Sequence, residues 1–327
     1  MFFCVLPAYR KGEEKMKFSP IYWVLSSVVL LAGVGMMGTA FAMEYKGSDA
    51  ERKNITESFT NAEDLKVEVS TCTLTLKSDK DAENYTVEFI DASGNPKIYM
   101  DGDTLHVEQK QKQRFRLVNF GEWQKKGKVI ITVPERAFDE IELYLGFTDD
   151  SEISAITCNK LQLDCGVGDM TMSQVRIAGE LNLDGGTGDL FLKDVTVDGK
   201  CDMDLGVGVL EADHFTVSKE ADIDLGTGDC TIRNSGFKDI ELDCGVGDLH
   251  MEALTLFGDA DIRQGTGDVK INVADSSDGY SVEVEKGVGD VTINGKSNTS
   301  LTNRDAKYMI NVECGVGDVD ITFQEEN

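Results

Sequence analysis

The chain has 327 residues, 59 acidic and 32 basic, for a formal net charge of −27, with 41% hydrophobic residues, 33 Gly and only 4 Pro. That much glycine with so little proline excludes collagen and Pro-rich linkers, and the apolar content is enough to pack a core. A charge of −27 sets the chain against phosphate backbones, so nucleic acid is excluded as an expected partner.

Residues 21–43 run for 23 positions without a charge, preceded by Arg10, Lys11, Lys15 and Lys17. About 20 apolar residues cross a bilayer, and basic flanks stay on the cytoplasmic side. The expectation is a cytoplasmic tail at 1–20, a transmembrane signal anchor at 21–43 and an exported remainder on a single-pass protein of the bacterial cell membrane. Ala40-Phe41-Ala42 also fits a signal-peptidase site, and cleavage after Ala42 would instead give a secreted protein. Gly12-Glu13-Glu14-Lys15 requires purine-rich codons of the kind that precede a bacterial start, which marks Met16 as an alternative first residue and 1–15 as untranslated. The polar residues 44–58 read as a stalk.

Residues 59–140 read as an irregular β cap that protects the first edge of a repeat region beginning at 141. Within it Leu65 to Leu76 has the apolar spacing of a degenerate coil, with Ser70-Thr71-Cys72-Thr73 in place of the glycine corner, and the other strands are Tyr85 to Ile90, a hairpin of Lys97 to Met100 and Thr104 to Gln109 around Asp101-Gly102, and Lys128 to Val133. Inside it Lys110, Lys112, Arg114, Arg116, Lys125, Lys126 and Lys128 are interleaved with Phe115, Phe120 and Trp123. Such a loop has the chemistry to bind an anionic envelope ligand such as teichoic acid or lipid headgroups, with Trp123 as the aromatic contact. A solvated hairpin loop whose aromatics cover the end of the core would have the same composition.

Residues 141–327 are organised by a repeat. Gly-Val-Gly or Gly-Thr-Gly begins at Gly166, Gly186, Gly206, Gly226, Gly245, Gly265, Gly287 and Gly315, about 20 residues apart. Three residues before each stands Leu163, Leu183, Met203, Ile223, Leu242, Ile262, Val284 or Val312, and apolar residues alternate again after it. Alternation on both sides of a glycine corner is strand patterning with one face buried. Such a unit cannot bury its apolar face alone, but stacked units pair their strands in parallel around a shared core. The fold class expected is therefore all-β, a parallel β-solenoid or β-helix of about 20 residues per coil.

The same alignment yields two acidic columns. Asp169, Asp189, Asp229, Asp248 and Asp268 stand three residues after the first glycine, with Val209 interrupting them. These five are candidate calcium ligands, although calcium takes six to eight oxygens and the nonapeptide calcium repeats have another period. Turn chemistry is the competing reading, each Asp accepting amide hydrogen bonds at its corner. Two residues before the glycine stand Asp164, Asp184, Asp204, Asp224 and Asp243, then Arg263. The cysteines Cys165, Cys201, Cys230, Cys244 and Cys314 have no cysteine beside them in their columns and read as small buried hydrophobes. His106, His214 and His250 fit no metal spacing, and no Gly-x-Ser-x-Gly elbow or Cys-x-x-Cys pair occurs, so no catalytic residue and no further cofactor is assigned.

The apolar run at 21–43, the opening Leu65 to Leu76, the Asp-Gly hairpin followed by Lys128 to Pro134, the strand Phe138 to Leu143 and the repeated Gly-Asp-apolar-x-apolar corner together resemble the bacterial putative-adhesin family of membrane-anchored surface β-solenoids. The resemblance covers 59–327 and implies a solenoid at the cell surface, some relatives being encoded in cell-envelope stress operons. The chain departs from that family's pattern by placing Gly-Val or Gly-Thr, in place of a polar corner, before Gly-Asp. The function expected is a non-enzymatic binding or structural module of the envelope with an envelope polymer or surface protein as partner. A carbohydrate-active β-helix enzyme and a calcium-dependent adhesive solenoid are the alternatives.

Overall fold

The computed structural model describes residues 52–110 and 127–324. The tail and anchor at 1–43 and the first part of the stalk lie outside these residues; among the described residues, no helix is long and apolar enough to cross a membrane. The described residues are β throughout apart from one 3-10 turn at Ser277–Gly279, and all their strands join one hydrogen-bonded sheet that winds as stacked rungs.

One rung shows how the sequence makes the others. Leu181 and Leu183 point inward on the approach to the corner at Gly186, then Leu190 and Leu192 point inward after it. Asp194 then turns the chain with φ 54°, and Val195 and Val197 form a third inward-facing arm. The next rung repeats the pattern 20 residues on, with Leu181 opposite Cys201, Leu190 opposite Leu210 and Val195 opposite Phe215. The sequence signals only the glycine corner. At the second one Gln174, Asp194, His214, Asn234 and Ala253 hold φ between 50° and 56° without glycine, a conformation that Asn and Asp tolerate but that strains Ala and Gln.

Sequence order and spatial order part at both ends. The last strand pair in the chain, Tyr308–Val316 and Val319–Phe323, lies between Ala260–Thr266 with Val269–Val273 on one side and Tyr280–Val288 with Val291–Ile293 on the other. The first rung does the same: Asp64–Val69 and Cys72–Ser78 pair in parallel with Thr104–Gln109 and Gly127–Val133 outside, and with Ala137–Phe147 and Ser151–Ser154 inside. The strands Asp64–Ser78 and Tyr308–Phe323 are thereby held inside the stack.

Two expected boundaries are corrected by this topology. The degenerate coil read at Leu65 to Leu76 is a regular parallel rung, so the span 59–140 holds a rung as well as the cap, and the strand Ala137–Phe147 runs across the 140/141 boundary. The cap proper is antiparallel: Tyr85–Ala92 pairs with Gly127–Val133, and Lys97–Asp101 with Thr104–Gln109. The stalk is corrected at its end, where Lys53–Phe59 is a strand on Tyr85–Ala92, with Ile55 and Phe59 packed against the core.

The corner glycines are fixed by how closely successive rungs approach. Gly228 has φ 142°, and a Cβ placed on it would lie 1.7 Å from the carbonyl oxygen of Gly208. No side chain fits at that distance, and the φ value disfavours any residue with a Cβ. We predict that Gly228→Ala lowers unfolding stability by about 3 kcal/mol or more in urea titrations. Gly279→Ala, where a Cβ meets nothing within 4 Å, should change it by less than about 1 kcal/mol.

Candidate functional site: an acidic face on the stacked sheet

The corner aspartates do one job that the turn reading anticipated in part. Asp169 Oδ1 accepts the amide of Asp189 at 2.8 Å, and Asp189 Oδ1 that of Val209 at 2.8 Å. The series continues from Asp229 to Asp248, Asp248 to Asp268, Asp268 to Asp318 and Asp318 to Asp290, each at 2.8–2.9 Å. Each carboxylate therefore caps the neighbouring rung and not its own turn. Of the five candidate calcium ligands, each spends one oxygen on a backbone amide, and the column supplies one carboxylate per rung against six to eight oxygens around calcium. Among the described residues, no group of three or more His, Cys, Asp or Glu side chains could hold a metal ion.

The arm that approaches the corner carries a different arrangement. Asp164, Asp184, Asp204, Asp224 and Asp243 are direct neighbours on successive strands. Two residues earlier on the same outward face, Asp202, Asp222, Glu241 and Asp261 form a second column beside the first. That column was missed in the sequence, although aligning the position four before each glycine would have found it. Side chains on adjacent parallel strands stand about 5 Å apart, so these carboxylates form a grid of like charge.

The electrostatics register the crowding. Asp184, Asp222 and Asp224 all have raised pKa values, first because partial burial disfavours the charged form and then because neighbouring carboxylates repel it. For Asp224 the repelling neighbours are Asp243, Asp222, Asp204 and Glu241. Arg263 ends the grid, its guanidinium bonded to Glu241 and to Asp243 Oδ1 at 2.9 Å. These partners raise its pKa, Glu241 foremost. Chemically, the face offers closely spaced carboxylates with few cations among them, suited to a polyvalent cationic surface and needing no groove.

The basic candidates divide. Lys110 is paired with Glu68 at 2.7 Å and Glu108 at 3.4 Å, and the hydrogen bond to Glu68 leads in raising its pKa. Lys128 is exposed on Gly127–Val133. Lys112, Arg114, Arg116, Trp123, Lys125 and Lys126 lie outside the described residues. The histidines sit apart: His106 stacks on Tyr99 with ring centroids 4.8 Å apart, His214 Nδ1 is 3.1 Å from Asp213 Oδ1, and His250 faces Glu252. A cleft lined by Ser78, Glu135, Arg136, Ala137, Ala155 and Thr157 encloses about 130 Å³, below the roughly 300–1,000 Å³ of small-molecule sites.

All seven cysteines among the described residues are free and buried. Column neighbours along the stack are as the repeat alignment gives them, but the expectation that no thiol has another beside it needs correction. Cys230 and Cys244 meet across the corner, where column alignment does not look; this hydrogen bond leads burial in driving the Cys230 pKa well up.

A family model described as Toastrack DUF4097 matches residues 62–322. Among solved structures the chain is similar to a putative adhesin from Bacteroides fragilis, at 15% identity over 84% of this chain and 100% of that one, with a TM-score of 0.41. It is similar to a putative adhesin from Parabacteroides merdae, at 12% identity over 84% and 98%, TM-score 0.37. A putative lipid binding protein from Parabacteroides distasonis is similar at 12% identity over 84% and 99%, TM-score 0.37. No curated protein matches the chain.

The two kinds of column respond in opposite ways to substitution. A carboxylate whose pKa is raised by folding binds its proton more tightly in the folded chain, so it subtracts stability at neutral pH and returns it as pH falls through the folded value. Asp222→Asn with Asp224→Asn should therefore have a higher urea midpoint than wild type at pH 7. The advantage should close as pH falls toward 3.8, the ordinary value of an aspartate. Val209 breaks the corner column and offers no acceptor to the amide of Asp229; Val209→Asn supplies one and should add about 0.5–1.5 kcal/mol in the same titration.

Proposed function

The chain belongs to the Toastrack DUF4097 family, and from that membership we propose that it is a non-enzymatic, adhesin-like β-solenoid held at the bacterial cell membrane by residues 21–43 and displayed outside the cell. The acidic face around Asp204, Asp224 and Asp243 is its contact surface, and a cationic surface protein or envelope polymer is its partner. The observation that carries the reading is the repulsion within that face. Asp184, Asp222 and Asp224 there hold raised pKa values, burial being the leading cause and neighbouring carboxylates the second, and a cationic partner would relieve that second contribution as well as adding attraction of its own. A role in responding to envelope stress would follow if access to that face changes with the state of the envelope.

Anchoring favours a surface of this kind. Residues 1–43 carry four basic and two acidic side chains, which leaves −29 on residues 44–327. An ectodomain of that charge is repelled by anionic lipid and extends away from it. Its long axis follows the stacking direction, so one face repeats the same chemistry at every rung.

The test is retention of the full-length chain on polylysine-coated and polyglutamate-coated surfaces across ionic strength. Binding to polylysine alone, lost on raising salt from about 50 to 500 mM, is expected. The variant Asp202→Asn, Asp204→Asn, Asp222→Asn, Asp224→Asn, Glu241→Gln and Asp243→Asn should lose at least tenfold in retention while Asp290→Asn, outside the grid, retains it. Equal retention of the six-site variant would sink the assignment of the face.

A further inference from the structure

In the middle rungs the corner core is built from two inward residues, one just before the glycines and one just after the aspartate. In the rung at Gly226 they are Leu225 and Cys230, and in the next rung Cys244 and Leu249. Register places Cys244 against Leu225 and Cys230 against Leu249, so the two cysteines are diagonal neighbours across one corner in successive rungs. The equivalent diagonals elsewhere hold no second thiol. Cys165 has Ser151 at that place and Cys314 has Val269, as the registers of Met170 and Val319 show. Two small sulfur-bearing residues thus stand together in one buried corner where neighbouring rungs supply one large aliphatic residue or more.

We propose that Cys230 and Cys244 are a modification site: under an oxidant of the hydroperoxide class they form a disulfide that staples the rung at Gly226 to the rung at Gly245. Cys244, 5% exposed against 0% for Cys230, is the sulfur that the oxidant reaches first. As the thiolate it attacks one peroxide oxygen; the O–O bond breaks, hydroxide leaves and takes up a proton as water, and Cys244 becomes a sulfenic acid. The sulfur of Cys230 then attacks that of Cys244, the S–S bond forms, and the S–O bond breaks. The departing hydroxide takes the proton that Cys230 gives up and leaves as the second water. Two thiols and one hydrogen peroxide become one disulfide and two waters, the peroxide accepting both electrons.

The bond closes a loop over residues 231–243 and constrains the unfolded chain more than the folded one. Full-length chain is treated with hydrogen peroxide, quenched, unfolded in denaturant with an alkylating agent and no reductant, digested and mapped by mass spectrometry. A cross-linked peptide pair containing Cys230 and Cys244 is expected, with Cys165 and Cys314 recovered alkylated. Recovery of Cys230 and Cys244 as alkylated thiols or as separate sulfinic acids, or cross-linked to other cysteines, overturns the proposal. In a second measurement, peroxide should raise the melting temperature of wild type and of Cys165→Ala on the order of 5 °C, reversibly with dithiothreitol. An equal rise in Cys244→Ala also overturns it.

Discussion

Everything in this molecule depends on how near one glycine corner comes to the next. Parallel strands stack about 5 Å apart only if their backbones can hydrogen-bond without interruption, and at a sharp corner that leaves no room for a Cβ. Gly208, Gly228 and Gly247 meet this condition in three consecutive rungs, each at positive φ with the carbonyl of the preceding rung where its Cβ would be. The constraint then propagates. Once corners superimpose, the positions flanking them superimpose too, so a substitution in one rung becomes a neighbour relation in the next and a residue type repeated beside the corner becomes a column in space.

Columns amplify both benefit and cost. A carboxylate just after the corner finds the amide of the next rung at hydrogen-bond distance and stabilises the stack repeatedly, as from Asp248 to Asp268. A carboxylate just before the corner finds another carboxylate on the next rung, as from Asp224 to Asp243, until Arg263 ends the column. At about 4 Å in bulk water two like charges cost about 1 kcal/mol, and physiological salt screens over about 8 Å, so neighbours on adjacent rungs still repel. Both columns look alike in the sequence, but only the second holds charge without a built-in partner.

A stack of open parallel strands must also end. The outer N-terminal rung is covered by the antiparallel strands Tyr85–Ala92 and Lys97–Asp101, which end the parallel ladder. At the other end Tyr280–Val288 is paired on its outer side only by Ser300–Leu301, over Val282 and Glu283. There the inward column that reads Leu225, Cys244, Gln264 and Cys314 finishes in Lys286, which turns its ammonium to the carbonyl of Gly289. A lysine exposed at the end of that column blunts the edge, since another strand adding there would bury its charge.

These particulars explain what could be read from the residues alone and what could not. The glycine period and the alternation around it report backbone crowding and burial, which act on every rung, so the parallel stack was legible from Leu163 to Ile321. The second corner was not, because Gln174, His214 and Ala253 adopt φ near 50° without any residue that announces it. The placing of Tyr308–Phe323 inside Tyr280–Ile293 was hidden too, since both rungs carry the same alternation and only spatial pairing separates them. Lys110 looked free for an anionic ligand until Glu68, 42 residues earlier in the sequence, came beside it. Partners of charged groups are the least local feature of the chain. For the acidic face, the pairing that the fold supplies to Asp243 through Arg263 but not to its column neighbours Asp204 and Asp224 is the one that another molecule is free to make.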